Sequence, residues 1–78
     1  MFEKMKLKKA INQSKERIAE IEQKRTRSQA ALVEAILRHT EPDDRDVDFF
    51  NQFTAQIEEE RANLHRLVQQ LEELEGKK

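Results

Sequence analysis

Apolar residues recur along the chain at alternating steps of four and three, in two stretches separated by a single break. This spacing places them on one stripe of an α-helix, at the a and d positions of a heptad repeat. Neither stretch shows the alternation of a strand, so the pattern predicts two long helices. The first stripe is Leu7, Ile11, Ser14, Ile18, Ile21, Arg25, Ser28, Leu32 and Ala35, and the second is Phe50, Phe53, Ile57, Glu60, Leu64, Leu67, Leu71 and Leu74.

The break between the two stretches lies in the segment TEPDDRDVD, which begins at Thr40. Pro42 has no backbone N–H and disfavours helix at the residue before it. We therefore expect one domain of 78 residues. Its predicted parts are helix 1 at about 3–39, an acidic loop at about 40–46 and helix 2 at about 47–75.

The acidic residues of the loop are predicted to start helix 2. An aspartate before a helix accepts hydrogen bonds from the free N–H groups of the first turn. Asp44 or Asp46 is the predicted N-cap, and Pro42 in the first helical turn is the alternative. Gly76 follows the last apolar residue and is expected to mark the end of helix 2.

A short connection makes consecutive helices antiparallel neighbours. The predicted fold class is therefore all-α, an antiparallel two-helix hairpin of the coiled-coil type. A fold at residues 42–43 pairs positions whose numbers sum to about 85, which sets Arg25 opposite Glu60. We expect this ion pair to fix the register, because a slipped register would leave a charge unpaired in the seam.

The chain has a second group of apolar residues, on both sides of the break. Two helices bury only one narrow stripe, which rarely stabilises so short a chain. We expect this loop-proximal surface to bind a second copy, completing a four-helix bundle, or a partner protein. Its predicted members are Leu32, Val33, Ile36, Leu37, Phe49, Phe50 and Phe53.

Composition and charge agree with this prediction. The chain has one Gly, one Pro and no Cys, and 40% of its residues are charged, which is typical of long helices and excludes disulfide and thiolate sites. Residues 1–40 carry ten basic and five acidic side chains, whereas residues 41–78 carry five and eleven. The two halves therefore attract each other.

No motif predicts catalysis, a cofactor, a metal ion or a small-molecule substrate. The aspartates at 44, 46 and 48 match the first ligands of a calcium loop, but Phe49 and Ala55 occupy the positions that need Gly and Glu. His39 and His65 are single and far apart along the chain. The only glycine is Gly76, so a phosphate-binding loop is excluded.

The sequence predicts a small non-enzymatic interaction protein. One alternative is a chaperone or adaptor subunit of a larger assembly, since in overall shape the hairpin resembles the short helical co-chaperones of bacterial secretion systems. Another is a nucleic-acid accessory protein using the basic face of helix 1, although acidic residues are interspersed there. No apolar run approaches the roughly 18 residues of a membrane span, and no apolar stretch follows the N-terminal lysines. The expected location is the cytoplasm.

Overall fold

The computed structural model describes residues 2–76, which form two helices, α1 (Phe2–Leu37) and α2 (Asp44–Leu74). The helices pack along each other in opposite directions, in a hairpin with extents of 57 × 19 × 16 Å. The all-α hairpin predicted from the two heptad stripes is therefore confirmed.

Burial along both helices follows the heptad stripes. Every predicted stripe position except Leu74 is buried or half-buried. The core is nevertheless small, since Ile11, Ile57, Ser14 and Ser28 are the only buried side chains among residues 2–76. Two of these four are serines, which add little apolar area. The contact between α1 and α2 is thus a thin seam.

Helix α1 ends at Leu37, two residues before the predicted position, because the chain turns through a left-handed residue. His39 has a φ of 60°. Its N–H donates to the carbonyl oxygen of Ile36 at 3.0 Å, and the N–H of Thr40 donates to that of Ala35 at 2.9 Å. This pair of hydrogen bonds is a Schellman motif, in which glycine usually occupies the left-handed position.

His39→Gly should raise the free energy of unfolding by about 1 kcal/mol, because a β-carbon disfavours the left-handed conformation. Thermal unfolding should then shift upward by about 5 °C. His65→Gly is the matched control, since His65 is exposed inside α2. There the same substitution should lower stability by a similar amount. A loss of stability in both variants would contradict the prediction.

Helix α2 begins at Asp44, three residues before the predicted position, and its N-cap is Asp43. This residue is extended, with φ −64° and ψ 133°, and its Oδ1 accepts a hydrogen bond from the N–H of Arg45 at 2.9 Å. The predicted caps, Asp44 and Asp46, were wrong, since both lie in the first turn. Pro42 precedes the cap, so its alternative place in the first turn was also wrong. Asp43 is the first residue after the proline able to accept this bond.

The end of α2 agrees with the sequence. The chain leaves the helix at Glu75, whose N–H donates to the carbonyl oxygen of Leu71 at 3.0 Å. Gly76 follows with a φ of 74°, a left-handed conformation that glycine adopts without steric cost.

The register of the hairpin differs from the predicted one by about one heptad. Each residue of α1 pairs with a residue of α2 that comes about one heptad earlier in the chain than predicted. Interhelical hydrogen bonds join positions 14 and 60, 17 and 60, and 25 and 54, and these numbers sum to 74, 77 and 79. The prediction was about 85. A shift of seven residues moves each stripe position onto the next equivalent one, so both stripes stay in contact.

Candidate functional site

The predicted register pair is not formed, because Arg25 and Glu60 have other partners. Arg25 donates from Nε to the Oγ1 of Thr54 at 2.9 Å. Its guanidinium carbon lies 4.8 Å from the centroid of the Phe50 ring, a cation–π contact. The expected pairing of Arg25 with Glu60 was wrong because it assumed a register in which paired positions sum to about 85. The seam still accommodates a half-buried arginine, through a hydroxyl group and an aromatic face.

Glu60 is the centre of a polar cluster in the middle of the seam. Its carboxylate accepts hydrogen bonds from the Ser14 hydroxyl at 2.7 Å, from Arg17 Nε at 2.9 Å and from Asn63 Nδ2 at 2.9 Å. The side chain of Glu60 is 17% exposed, and Ser14 is fully buried. The cluster therefore ties the two helices together at one defined register.

The chemistry of this cluster is that of a structural ion pair. The hydrogen bond from Arg17, followed by those from Ser14 and Asn63, lowers the pKa of Glu60 to about 2. A general acid or base works best with a pKa near the working pH. Glu60 is thus poorly suited to proton transfer at neutral pH, and its donors hold it in place.

The predicted interface residues divide into two sets by burial. Those facing the seam are half-buried and belong to the hairpin itself. Those off the seam are exposed, up to 74% for Leu37. The half-buried set is Leu32, Phe50 and Phe53, and the exposed set is Val33, Ile36, Leu37 and Phe49.

Ile36, one of the exposed residues of α1, lies on the same side of the hairpin as Val47. Glu22 and Arg61 form an ion pair across one side of the seam, at 3.5 Å. Ile36 lies two heptads after Glu22, and Val47 lies two heptads before Arg61. Ile36 and Val47 therefore occupy the same heptad positions as the ion pair and lie on the same side of the seam. Val47 is also exposed.

Phe49 lies on the other side of the seam. It is two heptads before Asn63, which contacts Glu60 on the side opposite the Glu22–Arg61 pair. Its ring stacks on that of Phe53, with centroids 6.1 Å apart and planes 15° apart. The predicted interface is therefore not one continuous surface, because Phe49 is separated from the exposed residues of α1.

We call the group of Val33, Ile36, Leu37 and Val47 the loop-end patch. A shallow groove beside it is lined by α1 alone, and its walls include Ala30, Val33 and Leu37. The patch is therefore largely a property of the outer face of α1. All four of its members are exposed.

Two of the arginines of α1 are engaged within the hairpin. Arg17 binds Glu60, and Arg25 contacts Thr54 and Phe50. These contacts reduce the basic surface on which the nucleic-acid alternative depends.

Among residues 2–76, no group of three or more His, Asp or Glu side chains is placed to hold a metal ion. Neither helix, over the part of the chain that the structure describes, combines the length and apolarity needed to cross a membrane. The fold is that of an antiparallel helical hairpin. Comparisons with protein-family models, curated proteins and solved structures found no significant match.

Proposed function

We propose that this protein is a non-enzymatic interaction module, a helical hairpin that associates with a second copy through its loop-end patch to form a four-helix assembly. The observation that carries the proposal is the exposure of Val33, Ile36, Leu37 and Val47 beside a thin seam. Contiguous apolar residues on the surface of a soluble protein are a common mark of a binding site.

The surface area of the chain supports the same proposal. The hairpin exposes 6524 Å² for a mass of 9.3 kDa. A typical folded monomer of that mass exposes about 5000 Å². The excess of about 1500 Å² is comparable to the surface that each partner buries in an obligate homodimer, about 1000 Å² or more. Association would therefore lower the exposed area of each chain towards that of a typical folded monomer of the same mass.

Light scattering at micromolar concentration should give a mass near twice 9.3 kDa. The double variant Val33→Glu with Leu37→Glu should weaken self-association at least roughly tenfold, because burial of an unpaired carboxylate is costly. Sedimentation over a concentration series measures the shift. The variant keeps the seam intact, since both residues are exposed.

The matched control is Ala55→Glu with Ala62→Glu, which adds the same charge to exposed positions of α2. This control should associate like the wild type. A stably folded monomer would contradict the proposal, and so would equal weakening by both double variants. A chain that gains helix only when a different protein is added would contradict it too, and would favour the adaptor alternative.

A further inference from the structure

A second heptad stripe runs along the outer face of α1. Starting at Phe2, steps of three and four lead through positions 5, 9, 12, 16, 19, 23, 26, 30 and 33 to Leu37, and all of these residues are exposed. The helix turns 100° per residue, so this outer stripe is roughly opposite the seam. Only Lys9 and Glu16 on it are charged. From Ala19 to Leu37 the outer stripe carries no charge.

The corresponding face of α2 has the composition of an ordinary solvated surface. Its positions 44, 48, 51, 55, 58, 62, 65, 69 and 72 are exposed and hold Asp44, Asp48, Glu58 and Glu72. They include no Val, Leu, Ile, Met or Phe. The outer stripe of α1 is therefore not a consequence of the general composition of the chain.

We propose that the outer stripe pairs antiparallel with the same stripe of a second copy, in a register where opposed positions sum to about 42. This inference rests on the proposed self-association and specifies its geometry. Leu37 then lies opposite Met5 of the second copy, and Ala30 opposite Asn12. Val33 and Leu37 of the loop-end patch in each copy then cover the exposed apolar start of α1 in the other. A two-fold axis passes between Ala19 and Gln23.

Two pairs of opposite charge flank the outer stripe in this register. Lys6 reaches Glu34 of the second copy, and Lys15 reaches Glu22 of the second copy, with sums of 40 and 37. Within one hairpin, the two residue numbers of each polar contact across the seam have sums that scatter similarly, between 74 and 83. On the flank that carries Lys6 and Glu34, Glu20 lies opposite Glu20 of the second copy at the axis, with Arg27 of the second copy one heptad away. Opposite charges across a pairing surface select register and partner.

The two ends of the hairpin are complementary as well. Residues 40–48 hold five acidic side chains and one basic one, whereas residues 1–9 hold four lysines and one glutamate. The antiparallel arrangement brings each acidic loop beside the basic start of the other copy. A parallel arrangement would instead bring two acidic loops together, which is unfavourable.

Cysteine cross-linking tests the arrangement, because the chain has no cysteine of its own. Asn12→Cys and Ala30→Cys are mild changes at exposed positions of the outer stripe. Mixed in equal amounts and oxidised, the two variants should give a disulfide-linked heterodimer. Either variant alone should not cross-link, because its two copies of the cysteine would be roughly 30 Å apart. Ala62→Cys, on the outer face of α2, is the control and should remain uncross-linked.

Several outcomes would overturn this inference. Efficient self-cross-linking of Ala30→Cys would indicate a parallel or shorter overlap. No heterodimer in the mixture, or a yield no greater than that of Ala62→Cys, would also overturn it. Light scattering on the same samples separates this failure from that of the proposed function. A dimer with the wrong cross-links would contradict only the antiparallel pairing of the outer stripes. A monomer would contradict both this pairing and the proposed self-association.

Discussion

Ile57→Ala should lower the free energy of unfolding by about 3 kcal/mol. Ile57 is 4% exposed, the least exposed large apolar side chain among residues 2–76. Truncation removes its apolar contacts and leaves a cavity that two stiff helices can close only in part. Small domains are stable by only about 5–15 kcal/mol, so this loss is a large fraction of the total. Urea denaturation followed by circular dichroism, at one fixed protein concentration, measures it.

Leu74→Ala is the control for this prediction. It shortens a stripe residue on the same helix, but Leu74 is 46% exposed at the open end of the hairpin. We expect a loss of about 1 kcal/mol or less, because little burial is removed. Equal losses for the two variants would show that stability is not concentrated in the middle of the seam.

Acidification should destabilise the hairpin through Glu60, by about 2 kcal/mol once partial screening by water is included. The pKa of this carboxyl group is about 2 in the folded chain, below its ordinary value of 4.5, chiefly because Arg17 donates to it. A lowered pKa in the folded state stabilises that state above the ordinary value. The stabilisation is therefore complete above pH 4.5 and is lost as the pH falls towards 2.

Glu60→Gln should abolish this part of the pH dependence. At neutral pH it should also lower stability by about 1–2 kcal/mol, because the charge-assisted hydrogen bonds become neutral ones. Unfolding by urea at several pH values between 2 and 7 provides the comparison. Glu59→Gln is the control, since Glu59 is exposed beside it and the hydrogen bonds of the cluster go to Glu60. If both variants keep the wild-type pH profile, the cluster around Glu60 does not stabilise the fold.

The ends of the helices illustrate how far local chemistry reaches. Gly76 was predictable as a stop signal, and Pro42 was predictable as a break. The left-handed cap at His39 was not, because glycine rather than histidine usually takes that position. Asp43 was one of several neighbouring aspartates that could each cap a helix. The choice depends on where the extended segment after Thr40 ends, which the local sequence leaves open.

The exposed apolar residues near the loop were predicted in part. Exposure of Val33, Ile36 and Leu37 follows from their place off the seam, and this was visible in the heptad pattern. Phe49 was grouped with them because it is close in sequence across the loop. Its separation depends on which side of the seam each helix presents, and the ion pair of Glu22 with Arg61 shows this.

The sequence by itself determined the two helices, the stripes that face each other and the break between them, because heptad spacing and a proline act locally. Only the tertiary structure decided the register. A shift by one heptad keeps every a and d position in contact, so the apolar pattern has nearly equal minima seven residues apart. The turn from His39 to Asp43 and the partners of Glu60 distinguish those minima. The hydrogen bonds from Ser14 and Arg17 to Glu60 join residues distant in sequence, and the turn depends on where each helix stops. Heptad periodicity encodes neither.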